Sequence, residues 1–315
     1  MLKKTILKVN KEEVDLRLDR FLVNNGLTYS LAQKLIRKKS IKVNKNNSTI
    51  SYRLQLNDEV EILSDVNLQR KVRSFKSVSP KIIQEIKDSI IFKDQNIIAF
   101  NKKSGVAVQS GSKIATSIDD ILPHLRFENK ENPKLVHRID KDTSGVLIIA
   151  RNRKVAGLLS EAFKNKIVQK TYLALVKGTP SQESGVIDIP LLKKYKGKNE
   201  KIYADFINGK KAVTEYKILQ KYEKQNCALL ELKPITGRTH QIRVHLKEIG
   251  HPIIGDFKYG SKNTDFKNLG IEKRLYLHAL KIKFTDFFGK VLEVSTEKKL
   301  GQKLYKFNDL NNIIF

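Results

Sequence analysis

A single cysteine, Cys227, stands in the whole chain, which excludes an internal disulfide and any cysteine-based zinc cluster. No run of about 18 apolar residues occurs, so no segment reads as a membrane-spanning helix. The opening "MLKKTILKVNKEEVD" is broken by charges every few residues and lacks the apolar stretch of a secretory leader. A cytoplasmic protein with no membrane partner is therefore expected. None of the six histidines has a His-x-x-x-His neighbour, and His240 and His245 are five apart, so no metal site is expected. Rossmann and P-loop glycine patterns are missing too, and no cofactor is expected. Acidic residues are scarce: 33 Asp and Glu stand against 61 Lys and Arg, a net charge of +28. Lysines on solvated helix faces account for part of that excess. The remainder repels itself unless an anion is nearby, and nucleic acid is the leading partner.

At 315 residues, 40% of them hydrophobic, the chain fits two domains. Residues 12 to 63 read as a compact α/β unit. "VDLRLDRFLVNN" sets Val14, Leu18, Phe21 and Leu22 at helical spacing, and a second helix opens at "SLAQKLIRKKS", where Ser30 and Gln33 form a capping-box pattern. Ala32, Leu35 and Ile36 give this helix its buried stripe, while Lys34, Arg37, Lys38 and Lys39 point outward. A strand "IKVN", a polar turn and "DEVEIL" close the unit. So small a segment buries little apolar area, and RNA contact is the natural use of its basic helix. A first domain is placed at 12–75. Residues 64 to 88 are polar and basic with a Ser-Pro break, a linker composition running into a short helix.

The second domain, 86–315, opens with two short β runs around a turn at Asp94 to Asn96. "GVLIIAR" follows as a buried strand, then a helix with Val155, Leu158, Leu159, Ala162 and Phe163 on one face. "IVQKTYLALVKG", "KAVTEYKILQKY" and "CALLELKPIT" are further strands. Helices and strands do not alternate regularly, so the expected class is α+β, a mixed but largely antiparallel sheet flanked by helices and loops.

Chemistry concentrates in "HRIDKDTSG", residues 137 to 145. Apolar residues precede it and "GVLIIA" follows, so its charges sit in a tight connection between two buried strands, a place that commonly supplies catalytic groups. Asp142, Thr143 and Ser144 read as turn and cap residues beside a glycine. "ITGRTHQIRVHLKEIG" is a strand end, a glycine turn and a helix beginning near Thr239, with Ile242, Leu246 and Ile249 as its stripe. Gly250 then ends that helix and Pro252 prevents its continuation. Arg243 lies about 100° around from Ile242 and flanks the core. His137, His240, His245 and His278 read as structural hydrogen-bonding residues.

"HRIDKDTSG" resembles the main motif of the RluA family of pseudouridine synthases, His-Arg-Leu-Asp-x-x-Thr-Ser-Gly, with Ile139 for leucine. "KTYLALVKG" resembles the family's next strand, and "TGRTHQIRVH", residues 236 to 245, its later motif. "NKKSGVAVQ" looks like the opening motif with Lys103 for proline, and "HPIIGDFKYG" and "RLYLHAL" look like trailing segments. Residues 12–75 resemble the S4 RNA-binding domain, with Lys45 and Asn57 where that family often has glycine. The resemblance implies an RNA pseudouridine synthase, an isomerase without cofactor, that turns uridine into pseudouridine. Asp140 would be its catalytic carboxylate, Arg243 the partner of Asp140, and Tyr172 the active-site tyrosine against the base. Arg138 would occupy the space vacated by an extruded nucleotide or hold the backbone there. A guanidinium within a few ångströms keeps a carboxylate ionised, the form that can attack.

The S4-like layout, "GVAVQSGS" and "PLLKK" resemble family members that act on 23S ribosomal RNA, free or in assembly intermediates, and a monomer is expected. Three alternatives stay open. They are the same chemistry at another rRNA site, a non-catalytic S4 RNA-binding protein, and a hydrolase using Asp140 with His137 or His240.

Overall fold

The computed structural model describes residues 4–10, 13–14, 16–64, 78–110, 114, 116–196, 199–260, 264, 266–286 and 289–297. The chain divides into two compact units, Met1–Ser77 and Val78–Phe315. Of the expected linker, residues 65–77 lie outside the described residues.

The smaller unit runs β1 (Lys4–Lys8), α1 (Leu18–Asn24), α2 (Tyr29–Arg37), β2 (Ile41–Val43), β3 (Asn46–Asn47) and β4 (Glu59–Leu63). Its strands form an antiparallel sheet in the order β1-β4-β2-β3. One face packs on Leu18, Phe21 and Leu22 of α1 and on Ala32, Leu35 and Ile36 of α2. Two details differ from the helical pattern. Val14 precedes α1 and is 40% exposed, because the chain enters the helix only at Leu18, whose N–H is held by the Tyr52 carbonyl. The cap of α2 is Thr28, whose hydroxyl accepts from the Leu31 N–H at 3.3 Å, and Ser30 lies inside the helix. Asn44, Lys45 and Asn57 carry φ values of +50°, +66° and +68°. The β2–β3 turn and the turn before β4 are thus left-handed without glycine. Asn44 supports its own by bonding Asp58 Oδ1 and the Glu59 N–H.

The larger unit contains α3 (Pro80–Asp88), β5 (Ile90–Lys93), β6 (Ile97–Lys102), α4 (Ile118–Ile121), β7 (Lys134–Leu135), β8 (Ser144–Ala150), α5 (Arg153–Lys164) and β9 (Gln169–Lys177). It continues with β10 (Ser184–Asp188), β11 (Leu191–Lys196), β12 (Asn199–Ala204), β13 (Val213–Tyr222), β14 (Cys227–Pro234), α6 (Gln241–Glu248), α7 (Phe266–Leu269), β15 (Leu277–Thr285) and β16 (Val291–Ser295). A ten-stranded sheet takes the order β10-β13-β14-β9-β15-β8-β6-β5, with β16 beside β15 and β7 beside β8. Among these pairings β15 with β8 is parallel and the others are antiparallel. The mixed, largely antiparallel sheet is as expected.

β8 is buried along its whole length, and apolar from Gly145 to Ala150, because both of its faces are covered. Leu147 and Ile149 enter one core, and Val146, Ile148 and Ala150 enter another with Val155, Ala156 and Leu159 of α5. Leu158 departs from its expected place: it is 40% exposed, at the edge of the α5 stripe. At the parallel seam Gly145 faces Ala279. Its φ is +106°, and a Cβ there would lie 2.2 Å from the Ala279 carbonyl oxygen. Only glycine lets the two backbones meet this closely. α6 is buried on more sides than a single stripe requires. Ile242 and Leu246 join the core under β9 and β14, while Val244 packs with Leu191, Ile202, Ala212 and Tyr259 beneath the separate β11–β12 hairpin.

Candidate active site

The segment from Val136 to Asp140 has no regular structure, and the strand before it is only the two residues of β7, with Lys134 exposed. The carbonyl of Asp140 then closes a turn by accepting from Thr143 N–H at 3.2 Å, and β8 begins at Ser144. Thr143 and Ser144 are 2% exposed and so are not surface turn residues. Ser144 Oγ bonds His278 Nδ1 at 2.9 Å across the parallel seam. This turn is anchored by the "NKKSG" stretch. Lys102, 1% exposed, donates from Nζ to the carbonyls of Lys103, Val106 and Lys141 at 2.9–3.0 Å. Gly105 N–H reaches the Lys141 carbonyl, and Ser104 Oγ the Asp142 carbonyl at 2.7 Å. Burial pushes the Lys102 ammonium down to about 7, against the opposing pull of Asp142 and Asp140. A side chain with no evident chemistry in the sequence thus holds the loop that presents Asp140.

Asp140 keeps 20% of its side chain exposed and faces a cleft of about 1270 Å³ that Arg138, His240, Arg243, Lys258 and Arg274 help to line. Arg243, 6% exposed, comes from α6 with a nitrogen of its fork 3.4 Å from Asp140 Oδ2. The rest of the fork is held by Asp256, through Nε at 2.7 Å and the other terminal nitrogen at 2.8 Å. Asp256 is 2% exposed and its Oδ1 also accepts the N–H groups of Lys258 and Tyr259. Burial works against both charges. The bonds and charge of Asp256, then those of Asp140, still raise the Arg243 guanidinium above its ordinary value, and Arg243 holds Asp256 below the usual carboxylate range.

His240 stands at the start of α6 with φ +53°, so regular helix begins two residues after Thr239. Its Nδ1 lies 2.7 Å from the Tyr259 hydroxyl and its Nε2 3.7 Å from Asp140 Oδ2. Burial lowers its pKa despite the pull of Asp140, favouring the neutral ring. His240 was expected to be structural, and its ring stands beside the carboxylate. Tyr172, half-buried on β9, pairs with Ala279, the residue opposite Gly145. Burial, with Asp140 nearby, raises its phenol above the ordinary value.

Asp140, Arg243 and Tyr172 therefore converge from one loop, one helix and one strand. Arg138 is exposed and bonds Gln109 Oε1 at 3.0 Å. Lys34, Arg37, Lys38 and Lys39 belong to the smaller unit and are exposed at the end of α2. Asp256 and Tyr259 were not singled out from the sequence, although both stand in "HPIIGDFKYG". Their only signal was a carboxylate and a phenol between glycines. Among the described residues no group of His, Cys, Asp and Glu is arranged to hold a metal.

Residues 96–248 match the family described as RNA pseudouridylate synthase. Ribosomal large subunit pseudouridine synthase C of Rickettsia felis is 39% identical over 305 residues, 94% of this chain and 96% of its own length. The protein of the same name from Pasteurella multocida is 37% identical over 283 residues, 89% of this chain and 85% of its own. Among solved structures, human RNA pseudouridylate synthase domain containing 4 superposes with a TM-score of 0.58 at 29% identity, covering 69% of this chain and 91% of that one. With near full-length relatives of this kind, and with its acidic loop and buried arginine in one cleft, the chain belongs to the RNA pseudouridylate synthase family.

Proposed function

We propose that this protein isomerises uridine to pseudouridine in the 23S RNA of the large ribosomal subunit, with Asp140 as the catalytic carboxylate. The observation that carries this reading is the Asp140–Arg243 pair at 3.4 Å in an open cleft. The guanidinium is fixed from behind by Asp256 and directs its remaining terminal nitrogen at the carboxylate of Asp140. Large-subunit RNA is the substrate in the names of the relatives.

In the reaction the N1–C1′ bond breaks, the base turns, C5 bonds to C1′, and C5 loses its proton. It is redox-neutral. Asp140 starts it, Tyr172 stacks on the base, and Arg243 keeps the carboxylate aimed. A uridine within folded RNA must first be extruded, at a cost on the order of a few kcal/mol. Arg138, exposed two residues before Asp140, supports the vacated position. Phosphate contacts offset the rest. The smaller unit acts as an S4-type RNA-binding domain, with Lys34, Arg37, Lys38 and Lys39 as its contacts. In this reading the protein works as a monomer in the cytoplasm on rRNA or its assembly intermediates.

Pseudouridine mapping of large-subunit rRNA from cells carrying the wild type or Asp140→Asn tests the assignment. The variant is expected to bind RNA and leave its sites unmodified. Wild-type levels of modification in the variant would remove Asp140 from its role.

A further inference from the structure

The two oxygens of Asp140 have unequal surroundings. Oδ2 has a nitrogen of Arg243 at 3.4 Å and His240 Nε2 at 3.7 Å, while no described residue bonds Oδ1. Arg243 is aimed there by Asp256. His240 reaches the same oxygen from another direction, and what it does there depends on which ring nitrogen carries the proton.

Two hydrogen bonds decide the tautomer. The Tyr259 hydroxyl accepts the Ile202 N–H of β12 at 3.1 Å. Its own proton therefore points elsewhere, and His240 Nδ1 stands 2.7 Å away. Burial pushes the Tyr259 phenol up to about 12, so that proton stays on the tyrosine at neutral pH. A ring that accepts at Nδ1 and is neutral carries its single proton on Nε2, the nitrogen facing Asp140. The ring's neutrality has causes on every side. Burial lowers its pKa first; Asp140 and Asp256 pull it up, and Arg243 and Lys258 push it down.

The backbone serves the same placement. His240 has φ +53° at the start of α6, a left-handed conformation that side chains with a Cβ rarely adopt. Its ring meets that of Tyr259 edge-on, with centroids 5.4 Å apart and planes at 67°. An imidazolium here would be a further cation beside Arg243 and Lys258. A neutral ring gives the carboxylate a donor without that repulsion.

We propose that His240 is a positioning residue of the reaction: with its tautomer set by Tyr259, it donates from Nε2 to Asp140 Oδ2 beside Arg243, leaving Oδ1 as the oxygen presented to the uridine. This role rests on Asp140 being the carboxylate that starts the reaction. The present separation is about 0.5 Å longer than a hydrogen bond, and such contacts tighten when substrate fills the site.

The tautomer is read first, in the full chain without RNA. Isotope-labelled histidine followed by two-bond proton–nitrogen correlation distinguishes the ring nitrogens, and the His240 signal is the one that His240→Gln removes. At neutral pH wild type is expected to carry a proton on Nε2 and none on Nδ1, and Tyr259→Phe to show a mixture of tautomers. A proton on Nδ1 in wild type would overturn the proposal, and an unchanged Nε2–H tautomer in Tyr259→Phe the part assigned to the tyrosine.

Single-turnover pseudouridine formation on an unmodified large-subunit rRNA transcript reads the role itself, with melting temperatures to check the fold of each variant. His240→Ala is expected to lower the rate at saturating RNA by about tenfold, the worth of one hydrogen bond to a charged group. RNA affinity should stay within about twofold of wild type, since only the reacting state uses the bond. His240→Gln, whose amide N–H reaches the place of Nε2–H, should recover most of the lost rate. A folded glutamine variant as slow as the alanine one, or a rate loss matched by lost RNA affinity, would overturn the donor role. If wild type itself forms no pseudouridine, the assigned reaction falls and the part of His240 in it falls too. If wild type is active and His240→Ala keeps its rate, the role of His240 alone falls.

Discussion

Arg243 and Asp256 form a two-point ion pair at 2.7 and 2.8 Å with side chains 6% and 1% exposed. The pair does more than neutralise two buried charges. It spends the fork's Nε and one terminal nitrogen on Asp256, which leaves the other terminal nitrogen directed at Asp140. A lysine at 243 has no fork and could not make both contacts in this geometry.

Asp256→Asn tests that arrangement. It leaves the arginine buried beside a neutral group, and breaking a buried pair by one partner costs roughly 3 kcal/mol. A shift in aim on the order of an ångström adds a loss of about tenfold to a hundredfold in kcat. Denaturant unfolding and single-turnover pseudouridine formation at saturating RNA are the two readouts. A variant with normal kcat would mean that Asp256 does not position the arginine.

Gly145→Ala is expected to be among the most damaging changes to the stability of the larger unit. Its φ of +106° and a Cβ 2.2 Å from the Ala279 oxygen leave no room for a methyl group. A cost of about 4 kcal/mol or more is expected, seen as a lowered denaturation midpoint or loss of folded protein. Unchanged stability would show that β8 and β15 can separate here without penalty.

The protein should lose stability in mild acid through the half-buried His137 and the buried His278. His137 Nε2 accepts the Ile148 N–H at 2.9 Å and His278 bonds Ser144 and Thr296. Burial first, then Lys170 for His137 and Arg274 for His278, lowers both rings from 6.5 to about 3. The unfolded chain therefore binds protons that the folded one does not between pH 6.5 and about 3. In that window stability falls with pH by about 1.4 kcal/mol per unit for each histidine, and above pH 6.5 this contribution is fully present. Urea unfolding of wild type and His137→Asn between pH 6 and 4 measures it, and the variant should have a slope shallower by about that amount.

The exposed end of α2 gives a prediction for the smaller unit. Replacing Lys34, Arg37, Lys38 and Lys39 together with glutamine should weaken RNA binding and reduce the salt slope of affinity by about 3. Filter binding across a salt series reads this directly. A slope equal to that of wild type would take those four residues off the RNA.

The sequence by itself was enough for the features that depend on neighbours along the chain. The stripe of α2, the β8 strand and the acidic loop follow from period and punctuation, because a strand or helix shows its buried face as a repeat. The segment "TGRTHQIRVH" likewise placed Arg243 on a helix flank, and the motif pointed it at Asp140. Tertiary structure decided what those residues face. Lys102 reads as one more lysine in a basic chain, and becomes the anchor of the loop that carries Asp140 only because β6 runs beside β8. Val14 and Leu158 fit an apolar pattern and are exposed, since the pattern does not say where a helix starts or how wide its cover is. Asp256 lies 13 residues beyond Arg243, and no periodicity links them. A buried guanidinium needs acceptors on several sides, and only the folded chain determines which distant groups arrive there.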